Sequence, residues 1–145
     1  MTTPCSYVDA KRDPGGAPRI EWIKIVWSPD SAPDLSDLTS KGRYDDIPDV
    51  ERRRYEAQDR ERLGAYDRDE WYFEGCSAKA TVLTAIEGMP GSRRLHVFTS
   101  GGLWGIASDS DAAYKASVER DQLSDLKDVL ATFGVDVSDF ESKIA

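Results

Sequence analysis

The chain predicts an α+β domain: a small antiparallel sheet of three to four strands packed with two main helices, in the order β-α-β-β-α. Three observations predict it. Residues 19–27, "RIEWIKIVW", are dense in β-branched and aromatic side chains. From Cys76 to Val82 apolar and polar residues alternate, and "EGMPGS" then turns the chain into a second run, "RRLHVFTS", as in a hairpin. Two longer stretches, residues 49–66 and 108–133, carry helical spacing and helix-terminal signals.

In chain order, residues 1–18 hold Pro4, Pro14, Gly15, Gly16 and Pro18 and read as a flexible lead-in to a single domain spanning 19–145. The first strand places Ile23, Ile25 and Trp27 on one face and Ile20, Trp22 and Val26 on the other. Apolar residues on both faces predict cover on both sides. The loop "SPDSAPDLSDLTSKGRYDDIPD" contains Pro29, Pro33 and Pro48, which cannot donate to a ladder. Its Asp and Ser side chains favour local turns, with a short helical turn around Asp34–Leu38. Pro48 and Asp49 open the first helix. Its apolar face is thin (Val50, Tyr55, Leu63, Tyr66), which predicts a surface helix laced by pairs such as Glu56–Arg60 and Asp59–Arg62.

In "EWYFEGCSAKATVLTAIEG" the residues Trp71 and Phe73 have the opposite parity to Cys76, Ala78, Ala80 and Val82. A bulge at Gly75 would reconcile the halves. "GGLWGI" then continues the returning strand or begins a short new one. The last long helix is capped by Ser108 or Ser110 and carries the stripe Tyr114, Val118, Leu126, Val129, Leu130 and Phe133. Gly134 ends it, and "VDVSDFESKIA" adds a short turn.

The net charge is −8, and it is segregated. Residues 28–49 hold six acids against two bases, and residues 108–145 hold nine against four. Such a chain repels phosphate, so no direct nucleic-acid contact and no anionic membrane contact are expected. No apolar run approaches the roughly 20 residues that span a bilayer. The N-terminal stretch has no apolar core of the signal-peptide kind. Cys5 falls in the lead-in and Cys76 in a strand, so a disulfide is not expected and a cytoplasmic setting is.

The sequence holds no catalytic signature, and neither a catalytic residue nor a cofactor is assigned. His96 is the sole histidine and reads as an ordinary strand residue. One His and two distant Cys do not make a zinc site. Asp30, Asp34, Asp37, Asp45 and Asp46 read first as turn formers, and no metal is assigned to them. "SGGLWG" sets glycines ahead of a helix, where amides can meet an anion. Asp109 and Asp111 already occupy that favourable position and would repel one. Trp104, between Leu103 and Gly105, is a core residue in the common case and a protein-contact anchor if exposed.

The stretches "IEWIKIVWSPDSAPDLSDL", "AQDRERLGAY", "EWYFEGCSAKA" and "SGGLWGIASDSDAAY" lie within residues 20–133. Together they resemble a family of small acidic proteins of unassigned function from bacteria, their phages and mobile elements. The resemblance implies an accessory gene that modulates a host system, and it carries over no catalytic residue.

The expected function is that of a non-enzymatic interaction protein with a basic protein partner. Its sharpest form is an inhibitor of a host nucleic-acid-binding or defence complex. The partner-binding residues are expected to be Asp30, Asp34, Asp37, Asp45, Asp46, Trp104, Asp109 and Asp111. The alternatives are a small ligand-binding protein or enzyme using the loop aspartates and the 100–111 junction, and a homodimer or larger homo-oligomer that hides its tryptophans between copies.

Overall fold

The computed structural model describes residues 18–39 and 42–145. Most of the expected lead-in, with Cys5, lies outside the described residues. The elements run β1 (Arg19–Pro29), α1 (Ser36–Thr39), α2 (Asp49–Asp67), β2 (Phe73–Ala85), β3 (Arg93–Thr99), β4 (Leu103–Ala107) and α3 (Ala112–Thr132), followed by a 3-10 turn at Glu141–Lys143. The fold is α+β with a four-stranded antiparallel sheet. Its strand order is β1-β2-β3, and β4 also pairs with β2. The hairpin keeps one register from Lys79↔Thr99 to Ala85↔Arg93. No described helix is long and apolar enough to cross a membrane.

The described residues group into two compact units. The first comprises 18–27, 76–103 and 112–145; the second comprises 28–39, 42–75 and 104–111.

The first unit holds the main core. Ala78, Ala80 and Val82 of β2 cluster with Ile20 and Ile23 of β1, Leu126 and Leu130 of α3, and Val135 and Phe140 beyond it. In β2, Ala78, Ala80 and Val82 are buried at every second position, while Glu74, Gly75 and Cys76 are buried in succession. In β1, by contrast, Ile20 and Ile23 are both buried, three positions apart, and Ile25 packs against the same cluster. Strict alternation cannot do this, because its period is two. Trp22, expected to be covered, is 37% exposed with the Lys24 ammonium 5.1 Å from its ring.

α3 buries Val118, Gln122, Leu126 and Leu130, one residue per turn. Tyr114 and Phe133 do not join this stripe. Tyr114 lies in the first turn and Phe133 beyond the last helical residue, and both are exposed. Gly134, at φ +80°, lets the chain leave the helix, and the Val135 N–H reaches back to the Leu130 carbonyl at 3.0 Å. The tail then returns to the sheet, where Ile144 bridges Ile23 in parallel and the Ala145 N–H donates to the Ile23 carbonyl at 2.9 Å.

Gln122 breaks an otherwise apolar stripe for a definable reason. Its Oε1 accepts the Ser100 hydroxyl at 2.6 Å and the Gly102 N–H at 3.0 Å. Ser100 Oγ in turn accepts the Ala78 N–H at 2.8 Å, and Asp125 Oδ2 accepts the Gly101 N–H at 2.7 Å. The turn "SGG" is thereby clasped onto α3, and its backbone donors are satisfied without water. Because Gly101 and Gly102 spend their amides on α3, they do not offer them to an anion.

Candidate functional site

The second unit is built on α2 and on an aromatic cluster beside it. No residue of α2 is buried, as a surface helix requires, but Val50, expected on its apolar face, is 81% exposed. Its inner end presents Tyr66 to Trp71 and Phe73, with centroids 5.3 and 6.1 Å away. Trp71 meets Phe73 edge-on at 4.8 Å. The indole N–H of Trp71 donates to the Arg62 carbonyl at 3.0 Å, and the Arg62 guanidinium lies 3.6 Å over the same ring.

One expected helix pairing, Asp59–Arg62, is replaced by longer-range partners. Arg62 makes a bidentate pair with Asp109, both bonds at 2.6 Å. Asp59 accepts the Tyr44 hydroxyl at 2.8 Å and pairs with Arg43 at 3.6 Å. Ser108, expected as a helix cap, instead joins the chain at Tyr72. Its N–H donates to the Tyr72 carbonyl at 2.7 Å, and its Oγ accepts the Tyr72 N–H at 2.9 Å.

A cavity of about 370 Å³ opens on this unit, lined by Asp30, Ala32, Asp34, Asp37, Leu38, Phe73, Trp104 and Gly105. The Asp30 N–H donates to the Phe73 carbonyl at 2.8 Å, which fixes the loop to the start of β2. Asp30 Oδ1 accepts the Ala32 N–H at 3.0 Å, and Asp34 Oδ1 accepts the Ser36 N–H at 2.9 Å. Both are Asx turns, the local use that the Pro- and Asp-rich sequence predicts. The Asp37 carbonyl receives the Arg43 guanidinium.

Trp104 forms the opposite wall. It is 57% exposed and does not enter the core, whereas its neighbour Ile106 is buried. Its indole lies flat against Gly75, in the space that a Cβ there would occupy. The wall is therefore an aromatic face held by backbone and open to solvent. The lining combines three carboxylates with two aromatic rings and contains no basic side chain.

Four of the eight expected site residues, Asp30, Asp34, Asp37 and Trp104, thus come together at one cavity. Asp45 and Asp46 are exposed in the turn before α2 and are not part of its lining. Asp109 is engaged by Arg62, and Asp111 is exposed at the entry to α3. His96 sits in β3 with its Nε2 3.0 Å from the Thr84 hydroxyl. Phe73 and Leu38 were not expected at a site. Among the described residues no group of three or more His, Cys, Asp or Glu side chains is arranged to hold a metal ion.

The Ser36 amide and hydroxyl hold the Asp34 carboxyl below its ordinary value, and the Ser138 amide and hydroxyl do the same for Asp136. A depressed carboxylate pKa contributes stability above the unfolded value of about 3.9. That contribution is lost as pH falls through the lower folded value. Acidification below about pH 4 is therefore expected to loosen the Asx turn at Asp34 and the turn at Asp136. The amide shifts of Ser36 and Ser138 should titrate with midpoints below that of an ordinary aspartate. A midpoint at or above the ordinary value would contradict the assignment.

Comparison of the chain with protein-family models, with curated proteins and with solved structures finds no match.

Proposed function

We propose that the chain is a non-enzymatic interaction protein whose acidic, aromatic-walled cavity receives a cationic side chain from a basic protein. The observation carrying this reading is that Asp30, Asp34 and Asp37 line one cavity together with the exposed Trp104 and with Phe73. Carboxylates attract a guanidinium or ammonium over distance, and an aromatic face binds it at contact, worth about 0.5–2 kcal/mol depending on desolvation. The cavity is in the lower part of the range of about 300–1,000 Å³ typical of ligand sites, which suits one long side chain better than a large cofactor.

The net charge of −8 favours a partner whose basic surface otherwise holds phosphate, such as a nucleic-acid-binding or defence complex of a host cell. Ligand chemistry at the 100–111 junction is less well supported, because Gly101, Gly102, Ser108 and Asp109 are each committed to partners within the chain.

An arginine-rich peptide titrated into the protein tests the reading. Binding is expected to weaken with salt, and to weaken about tenfold for Trp104→Ala and for the double variant Asp34→Asn/Asp37→Asn. Equal binding by wild type and both variants would refute the cavity as the site. Capture from host lysate across a salt gradient then identifies the partner.

A further inference from the structure

We propose that the chain forms a two-fold homodimer by antiparallel pairing of β3 with β3 of a second copy. Among the described residues β3 has one partner strand, β2, so its other edge faces outward. The backbone pattern decides which groups point there. Across the hairpin, paired residue numbers sum to a constant, and the Ser100 N–H donates to the Ala78 carbonyl at 2.9 Å within that same register. In an antiparallel ladder this assigns the even-numbered residues of β3 to bonds with β2. Arg93, Leu95, Val97 and Thr99 therefore direct N–H and C=O away from the sheet.

A second β3 must match these outward groups with its own odd-numbered residues. The symmetric register that pairs the whole strand is centred on His96. It sets Leu95 opposite Val97 of the second copy and Arg93 opposite Thr99. Four outward residues on each strand supply about eight inter-strand hydrogen bonds. The side chains are complementary in this register. Arg94 faces Phe98 of the second copy, and no arginine faces an arginine, an arrangement that like charges would oppose.

Apolar side chains are exposed on this strand. Leu95 is 59% exposed and Val97 58%. On the other face of β3, Phe133 is 67% exposed and leans on Phe98 with centroids 5.3 Å apart. Exposed edge strands are commonly protected by proline, lysine or a bulge. β3 contains neither proline nor lysine, and its register with β2 is continuous. A second copy satisfies the strand's polar backbone and packs Leu95 of each copy beside Val97 of the other. A pairing of this size belongs with transient interfaces, with Kd on the order of micromolar to tens of micromolar.

Sedimentation velocity of the full chain over a concentration series is expected to show a reversible monomer–dimer equilibrium. Val97→Pro removes an N–H that makes no bond within its own sheet, and should weaken dimerisation at least tenfold. Val97→Lys provides the same test without altering the backbone. His96→Cys, made in a Cys5→Ser background, should form a disulfide-linked dimer on mild oxidation. The pair at the two-fold axis is of the closer, non-hydrogen-bonded kind, with Cα atoms about 4.5 Å apart, inside the disulfide range. Ser92→Cys should not cross-link. A monomer at every concentration would overturn the proposal, as would a dimer indifferent to both Val97 variants. Failure of His96→Cys to cross-link while the dimer persists would also overturn it.

Discussion

Leu126→Ala is expected to cost about 3–4 kcal/mol, the largest effect of any single substitution considered for this chain. Leu126 is fully buried at the centre of the cluster formed by Ile20, Ile23, Ala78, Ala80, Val82 and Leu130. Its neighbours on β2 are mostly small, and they sit in a paired strand that cannot move inward to fill a void. Truncation therefore loses the transfer term and retains much of the cavity term. For a chain of 145 residues this is a large share of a total stability of roughly 5–15 kcal/mol. Urea unfolding checks it: the midpoint should fall while the slope is unchanged. Tyr114→Ala, at an exposed site on the same helix, should cost far less. Comparable losses from the two variants would contradict the packing described.

Gly75→Val should disturb the cavity more than the fold. A Cβ at position 75 would enter the ring of Trp104, and valine adds two further methyl groups. Trp104 is more than half exposed, so it can swing outward and leave the remaining core in place. Overpacking costs about 1–3 kcal/mol in well-packed sites, and this exit route places Gly75→Val toward the lower end. The larger consequence is for binding, because the displaced indole no longer lines the cavity it shares with Asp30, Asp34 and Asp37. Affinity for an arginine-rich peptide is expected to fall about tenfold, as for Trp104→Ala. The emission of Trp104, isolated by difference against Trp104→Phe, should shift as the ring leaves the backbone of Gly75. Unchanged emission and unchanged affinity in Gly75→Val would show that the ring and the glycine are not in contact in solution.

The two predictions divide the molecule as the sequence itself does. The α3 stripe was legible because Val118, Leu126 and Leu130 recur at helical spacing, and that spacing alone sets which face is apolar. It overreached at both ends. Tyr114 and Phe133 continue the spacing, but one lies in the first turn and the other past the last helical residue, both exposed, and periodicity carries no information about where cover stops. Gln122 was not legible, since its burial depends on Ser100 and Gly102, some 20 residues away. The parity conflict around Gly75 pointed to a bulge. There Glu74, Gly75 and Cys76 are buried in succession, and Trp71 and Phe73 belong to an aromatic cluster with Tyr66.

The candidate site was half legible. Asp30 and Asp34 announced themselves as turn formers next to prolines, and they do form Asx turns. Their convergence with Trp104 was hidden, since about 70 residues separate the two segments in the chain. Asp109 looked equally available and is instead taken by Arg62, an ion pair between residues 47 positions apart. Charge counting treats all carboxylates alike, whereas geometry decides which of them already has a partner.

By itself the sequence determined the class of fold, the order of its main elements, Ala78, Ala80 and Val82 of β2 and Val118, Leu126 and Leu130 of α3 as core residues, and the acidic balance. Each of these follows from short-range periodicity, local turn chemistry or simple composition. Only the tertiary structure decided that Trp104 stands exposed against Gly75, that three loop aspartates line one cavity with it, and that among the described residues β3 pairs with β2 alone, its odd-numbered backbone groups on the other edge. These features arise from long-range pairing, whose register is set by the packing of whole elements and is not encoded in any one stretch of residues.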